Sequence, residues 1–369
     1  MVIGINATAA IKQPRMGVEE YCYHLIRHLT MLPEAREHRF LLYLPPIALA
    51  KGDLSIFDFP LPENFEIKIL NWFLPMWTQL RLASEILVHK PDILFIPVHI
   101  LPKIHPENSV VTIHGLEYEY FPEYYPLWFR NYLRLSTKYA IRHARKIIAV
   151  SENTKRDLVK LYYADESKVE VVHHGTEFKT QNAKLKTITQ NLKPEKPYLL
   201  YIGRVELKKN ILGILDAYKI LKEKYKIPHE LVLAGTPGFG YDEISFKIKN
   251  LKFKIKELGY VSEDEKWQLL TGTDVFVFPS FYEGFGMPIL EAQAAGVPVV
   301  ASNTSSIPEI TNNSALLVEP KNPEQIAQAV YKMIDDKTLR DKLIELGFDN
   351  VKRFSWEKCA RETLRIITS

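Results

Sequence analysis

Two glutamates, Glu283 and Glu291, are separated by seven residues in the stretch FPSFYEGFGMPILEAQAAGVPVVAS, residues 278 to 302. An ionised carboxylate only accepts hydrogen bonds, so such a pair suits a ligand rich in hydroxyls. Between them lie Gly284, Gly286 and Pro288, the start of a helix-like segment that Gly296 and Pro298 stop. Unpaired N–H groups at a helix start attract phosphate, and glycines let the backbone approach it closely. Carboxylates for hydroxyls beside amides for phosphate describe a ligand with a diphosphate between two hydroxylated rings, a nucleotide sugar. Taken alone, Glu291 fits equally a charge that complements the helix dipole, and the glycines an ordinary turn.

A second cluster, YIGRVELKKN, puts Gly203, Arg204 and Lys209 just past an apolar run. Arg204 offers a planar fork and Lys209 a point charge to the same anion. At ~4 Å and an effective dielectric constant of ~20, each cation contributes roughly 4 kcal/mol of gross attraction per phosphate charge. Lys208 and Lys209 also fit solvated charges at a helix start, although cations there oppose the dipole unless an anion is present. His114 in VTIHGLEYEY ends another apolar run. Taken alone, a histidine there fits a structural role, as do His99, His105, His173 and His174, whose spacing recommends no metal site.

The elements that must position these groups alternate between strand and helix, twice over. In the first half VIGINA, RFLLYL, DILFIPV, SVVTIHG, KIIAVSE and KVEVVHHG read as short buried strands, and GVEEYCYHLIRHLTML as a helix. In the second half YLLYIG, ELVLAG, IKELGYV and DVFVFP read as strands, NILGILDAYKILKEKY and EDEKWQLLTG as helices, and helices are expected to fill the rest to the end. Near-continuous apolar strands indicate parallel sheets covered on both faces. The expected fold is therefore α/β, two Rossmann-like doubly wound domains facing a central cleft. Residues 1–178 form the first domain and 197–352 the second. The polar stretch between them contains the linker, 179–196, and residues 353–369 form a last helix.

At 369 residues the chain is long enough for two domains of roughly 170 to 190 residues each. Its +4 charge, from 48 Lys and Arg against 44 Asp and Glu, is too small to imply nucleic-acid binding. Cys22 and Cys359 lie in helix-like segments and suit buried free thiols in a reducing cytosol. MVIGINATAA suits a strand rather than a signal peptide, and no apolar run reaches membrane-spanning length. These features place the chain in the cytoplasm, free or peripheral on the inner face of the membrane.

In EGFGMPILE, GRVELKKN, LGYVSEDE, SSIPEI and GVEEY, the chain resembles, over nearly its full length, the family-four retaining glycosyltransferases (group 1, GT-B fold). Its overall flavour is closest to the bacterial mannosyltransferases. The resemblance implies that Arg204 and Lys209 hold the donor diphosphate, Glu291 the ribose hydroxyls and Glu283 the transferred sugar. Backbone at Phe285, Gly286 and Met287 would hold sugar and phosphate, and Gly17 would let the first loop approach the donor. Gly259, Tyr260 and Val261 would meet the base through backbone groups. His114 would contact the donor sugar near the reacting carbon; family members commonly follow it with an aspartate, where this chain has Gly115. The final helix would cross back to the first domain.

From Tyr120 to Lys146, Arg130, Arg134, Lys138 and Arg142 recur every four residues behind a crowd of aromatics. Such a helix can lie on anionic lipid headgroups, and the same pattern fits a solvated face beside the acceptor cleft. NWFLPMWTQL, residues 71 to 80, is a second apolar contact or part of the core. The expected activity is retaining transfer of a hexose from a nucleoside-diphosphate sugar, GDP-mannose first and a UDP-hexose second, to a glycan or lipid-linked acceptor. No cofactor and no metal are expected, since the sequence has no Asp-x-Asp motif. A nucleotide-sugar epimerase of similar fold would turn over donor without acceptor. A lectin-like scaffold would need no set of Arg204, Lys209, Glu283 and Glu291 together.

Overall fold

A computed structural model describes residues 1–46, 57–72, 76–177 and 197–369. They fall into two compact units, Met1–Gly175 with Ser355–Ser369, and Thr176–Phe354. The expected linker, 179–196, lies outside the described residues.

The first unit holds strands β1 (Val2–Asn6), β2 (Arg39–Leu44), β3 (Phe65–Ile69), β4 (Ile93–Ile96), β5 (Ser109–Ile113), β6 (Lys146–Ala149) and β7 (Val169–Val171). They form one parallel sheet in the order β3-β2-β1-β4-β5-β6-β7. Between them in the chain come helices α1 (Gly17–Leu29), α2 (Ala83–Val88), α3 (Glu117–Tyr120), α4 (Leu127–His143) and α5 (Glu152–Tyr162). β4 and β5 are buried at every position, as strands covered on both faces must be. β3 has no counterpart in the sequence reading. As an edge strand it alternates Phe and Ile with Glu and Lys and is only partly buried, so it shows no continuous apolar run.

The second unit holds β8 (Tyr198–Ile202), β9 (Glu230–Ala234), β10 (Ile255–Gly259), β11 (Val275–Phe278), β12 (Val299–Ser302) and β13 (Leu316–Val318). Their order is β10-β9-β8-β11-β12-β13, again all parallel. Its helices are α6 (Ile211–Glu223), α7 (Tyr241–Asn250), α8 (Glu263–Gly272), α9 (Met287–Ala294), α10 (Ile307–Thr311), α11 (Pro323–Asp335) and α12 (Lys337–Val351). The expectation that helices alone fill the chain after DVFVFP is wrong: β12 and β13 complete the sheet. At four and three residues these runs are too short for periodicity to separate from helix.

The last helix, α13 (Trp356–Thr368), packs on α1, with the rings of His24 and Trp356 stacked 4.9 Å apart. Arg145 donates to the carbonyls of Ile366 (3.1 Å) and Ile367 (2.9 Å), groups a helix C-terminus leaves without intrahelical partners. Cys22 and Cys359 are buried free thiols.

Candidate functional site

In numbers relative to its first strand, the second sheet runs 3-2-1-4-5-6, so chain direction reverses between β8 and β11. Ligands of doubly wound sheets bind at the carboxyl ends of the two strands flanking that point. Arg204 and Lys209 follow β8, and Glu283 follows β11. The two loops are tied together. Phe281 N–H donates to Lys208 O (3.1 Å), and buried Asn210 donates to Pro279 O (3.0 Å) and Pro320 O (2.6 Å). Asn210 also adopts a left-handed conformation (φ 59°) and caps α6 by accepting from Gly213 N–H, two roles asparagine fills more readily than most residues.

This framework sets Lys209 Nζ 2.6 Å from Glu283 Oε1, with the side chains only 17% and 11% exposed. The anion that offsets Lys209 is therefore a carboxylate of the site itself. Lys208 turns to Glu206 (3.5 Å). Arg204 leaves the same strand end, exposed, its methylenes against Gly238.

The Glu283 loop is latched from SSIPEI. Ser305 Oγ accepts from Glu283 N–H (2.9 Å), and Ser306 Oγ donates to the carbonyls of Glu283 (3.0 Å) and Phe285 (2.7 Å). Gly286 caps α9 at φ 112°, a conformation that favours glycine. Pro288 carries no N–H, and Ile289 N–H returns to Gly286 O (3.1 Å). Gly286 and Met287 thus supply the amides at the helix mouth that can meet an anion.

Glu291 is the fifth residue of α9, beyond the first turn where the dipole acts, so dipole compensation does not account for it. Its Oε1 instead meets Lys266 Nζ at 2.7 Å. Lys266 sits in α8, just after the Gly259–Val261 loop. There Gly259 O accepts from Gly235 N–H (2.7 Å), Tyr260 is exposed and Val261 leads to Ser262, which forms a capping box with Glu265. The sequence motifs gave no signal for Lys266, and they marked Ser305, Ser306 and Asn210 without revealing their contacts.

In the first unit, His114 follows β5. Its Nε2–H donates to Pro97 O (2.8 Å), while its backbone N–H donates to His99 Nε2 (2.7 Å). His99, His174 and Tyr21 surround the ring at centroid distances of 5.8, 5.6 and 4.8 Å. His99 thus serves structurally, as a support for His114. Gly115 has φ +144°, a backbone setting an aspartate would rarely adopt. Gly17 opens α1, exposed, after a cap residue, Met16, with no side-chain cap bond.

Burial, with His99 beside it, pushes the His114 imidazole down to about 3, and burial also lowers His99 and His174. All three are lowered in the folded chain, so below about 6.5 the unfolded chain takes up protons more readily than the folded one. Stability should be level above that pH and fall as pH drops from 6.5 toward 5, before carboxylates titrate. Each histidine contributes up to about 1.4 kcal/mol per pH unit. Urea midpoints that stay level from pH 7 to 5 would contradict this.

The basic helix α4 differs from its expected form. Four-residue spacing drifts about 40° per step on an α-helix, and the stripe divides. Arg134 Nε pairs with Glu119 (2.8 Å) and Arg130 Nε donates to Tyr118 O (2.9 Å), whereas Lys138 and Arg142 are exposed. Exposed with them are Trp128 (73%) and Leu135 (67%).

Among the described residues no group of three or more His, Cys, Asp or Glu could hold a metal ion, and no helix is long and apolar enough to cross a membrane. A family model described as glycosyl transferases group 1 matches residues 184–349, and one described as glycosyltransferase family 4 matches residues 16–179. The O-antigen chain mannosyltransferase B of Escherichia coli is 29% identical over 381 aligned positions, covering 98% of each chain. The O-antigen chain mannosyltransferase RfbU of Salmonella typhimurium is 24% identical, covering 69% of each. Among solved structures, Anabaena HepE in complex with UDP-glucose superposes with a TM-score of 0.76 at 17% identity, covering 100% of this chain and 99% of that one. Two parallel α/β domains of the GT-B kind, matched by both models, place the chain in its family: it belongs to the glycosyl transferases of group 1.

Proposed function

We propose that the chain moves a hexose, mannose from GDP-mannose, onto a glycan or lipid-linked acceptor with retention at the anomeric carbon. The observation that carries the reading is the Lys209–Glu283 pair at the switch point between β8 and β11, beside the amides of Gly286 and Met287. Lys209, Arg204 and those amides take the diphosphate, with the carbonyl of Phe285 fixed by Ser306 behind them. Glu283 meets the transferred sugar, Glu291 the ribose, and the Gly259–Val261 backbone the base. Gly17 and His114 are assigned to the donor by the resemblance alone.

The bond from the anomeric carbon to the diphosphate oxygen breaks, and its electron pair leaves with the diphosphate. The acceptor hydroxyl bonds to that carbon from the same face and gives its proton to the departing phosphate oxygen. This route needs no enzyme nucleophile, and two cations with a helix mouth stabilise the leaving group without a metal. The near-full-length likeness to an O-antigen mannosyltransferase favours mannose. The fold's likeness to a protein holding UDP-glucose supports a UDP-hexose as the second reading.

A thermal-shift panel of GDP, UDP, ADP and dTDP separates the donors. A ligand at 100 times its Kd stabilises by roughly 2.7 kcal/mol, and GDP is expected to give the largest shift. Transfer from GDP-mannose should persist in EDTA and give a product of unchanged anomeric configuration by NMR. Activity lost in EDTA and restored by Mg²⁺ or Mn²⁺ would refute the leaving-group assignment.

A peripheral position on the inner face of the membrane rests on unit one alone. Tyr139 of α4 donates to Lys103 O (2.9 Å), and Gln79 donates to Leu101 O (3.1 Å) and accepts from Lys103 N–H. These bonds join α4 to the turn carrying exposed Met76 and Leu80 and to exposed Ile104; residues 73–75 lie outside the described residues. Apolar side chains with Lys138 and Arg142 suit anionic headgroups. Trp128→Ser with Leu135→Ser should abolish co-sedimentation with phosphatidylglycerol vesicles; unchanged binding refutes this surface.

A further inference from the structure

Lys266 lies on the fourth position of α8, 13% exposed, with Nζ 2.7 Å from Glu291 Oε1 and 2.6 Å from Glu263 Oε1. The same helix otherwise turns Trp267, Leu269 and Leu270 inward. Packing alone does not call for a charge there: apolar side chains in place of the whole ion-paired set would be about as stable, whereas removing the lysine alone would leave Glu291 uncompensated. Burial works against the ammonium, and Glu291 and Glu263 outweigh it, so the lysine stays charged well above its ordinary range. Its α8 begins directly after the Gly259–Val261 loop, while Glu291 belongs to α9. The lysine therefore couples the helix after the base-side loop to the helix that carries the second glutamate.

Glu291 has one oxygen, Oε1, in the ion pair, and its side chain keeps 20% exposure. A glutamate in a helix has three side-chain torsions to order before it can accept two hydroxyls at once. We propose that Lys266 is a positioning residue for the nucleotide: by clamping Glu291 Oε1 it fixes the carboxylate so that Oε2 faces the ribose hydroxyls. This rests on the reading of Glu291 as the ribose contact. It assigns Lys266 an effect on donor affinity and on ribose recognition, with none on the chemical step.

The test is calorimetric binding of GDP and UDP, each beside its 2′- and 3′-deoxy forms, to wild type, Lys266→Met, Lys266→Arg, Glu291→Ala and the Lys266→Met/Glu291→Ala double variant. A hydrogen bond to a charged group is worth about tenfold or more in affinity. Lys266→Met should bind the ribonucleotide about tenfold more weakly and lose less than that on its deoxy forms, each of which keeps one of the two hydroxyls. Lys266→Arg should recover most of the loss, and in the Glu291→Ala background Lys266→Met should add nothing. Donor KM should rise about tenfold in Lys266→Met with kcat within about twofold. Wild-type affinity in Lys266→Met, or equal losses for ribo and deoxy forms, overturns the proposal. A wild type that binds ribo and deoxy forms alike sinks the ribose reading itself, whatever Lys266 does. Lys266→Gln makes the same comparison should the methionine variant not fold.

Discussion

Replacing Glu283 by alanine is expected to lower kcat by about 10²- to 10³-fold, with a far smaller rise in the donor KM. The loop that carries it is fixed before any ligand arrives, by Ser305 on its N–H, Ser306 on its carbonyl and Lys209 on its carboxylate. A group held so firmly adds little to ground-state binding by reorganising, and most to a transition state in which the sugar ring turns positive. The proposed base and ribose contacts lie elsewhere, so bare nucleoside diphosphate should bind no more weakly. Glu291→Ala should show the opposite split, a raised donor KM with kcat less affected, because ribose contacts persist through the reaction. Steady-state kinetics with a working acceptor decide it. A Glu283→Ala enzyme with near-normal kcat would leave the carboxylate a loop support.

The fold was legible where elements were long or wholly buried. β4 (ILFI) and β11 (VFVF) are apolar throughout because both faces of a parallel sheet are covered. What escaped was short or two-sided. β3 alternates Phe65, Ile67 and Ile69 with Glu66 and Lys68 because it is an edge, and β13 is three residues long. α7, YDEISFKIKN, buries only Ile244 and so shows no full apolar face.

The site was legible in its residue types and less so in its pairings. Gly286 declares a positive φ and Pro288 a helix start, because each has a backbone property no other residue shares. Charges declare no partner. Lys209 and Glu283 are 74 positions apart, Lys266 and Glu291 are 25 apart, and only the sheet order brings them together. The reverse error occurred on α4, where a regular run of cations suggested one face. Glu119, outside the run, draws Arg130 and Arg134 to itself, and only Lys138 and Arg142 remain on the exposed stripe with Trp128 and Leu135.

Those pairings make Arg204 and Lys209, the proposed diphosphate cations, unequal. Arg204→Ala removes one charged contact and should weaken nucleoside diphosphate binding by about tenfold. Lys209→Ala should weaken it by about 10²- to 10³-fold, because it also strips Glu283 of its partner at 2.6 Å. A carboxylate only 11% exposed then faces the phosphates uncompensated, and removing one member of such a pair costs more than the contact alone. In the Lys209→Ala background, Glu283→Ala should raise affinity by about tenfold, although the double variant stays inactive in transfer. Isothermal calorimetry of the two single variants, Glu283→Ala and the double variant closes the cycle. Equal losses for Arg204→Ala and Lys209→Ala, with no recovery in the double variant, would mean that Glu283 stands too far from the phosphates to feel them, and that Lys209 serves the carboxylate rather than the donor.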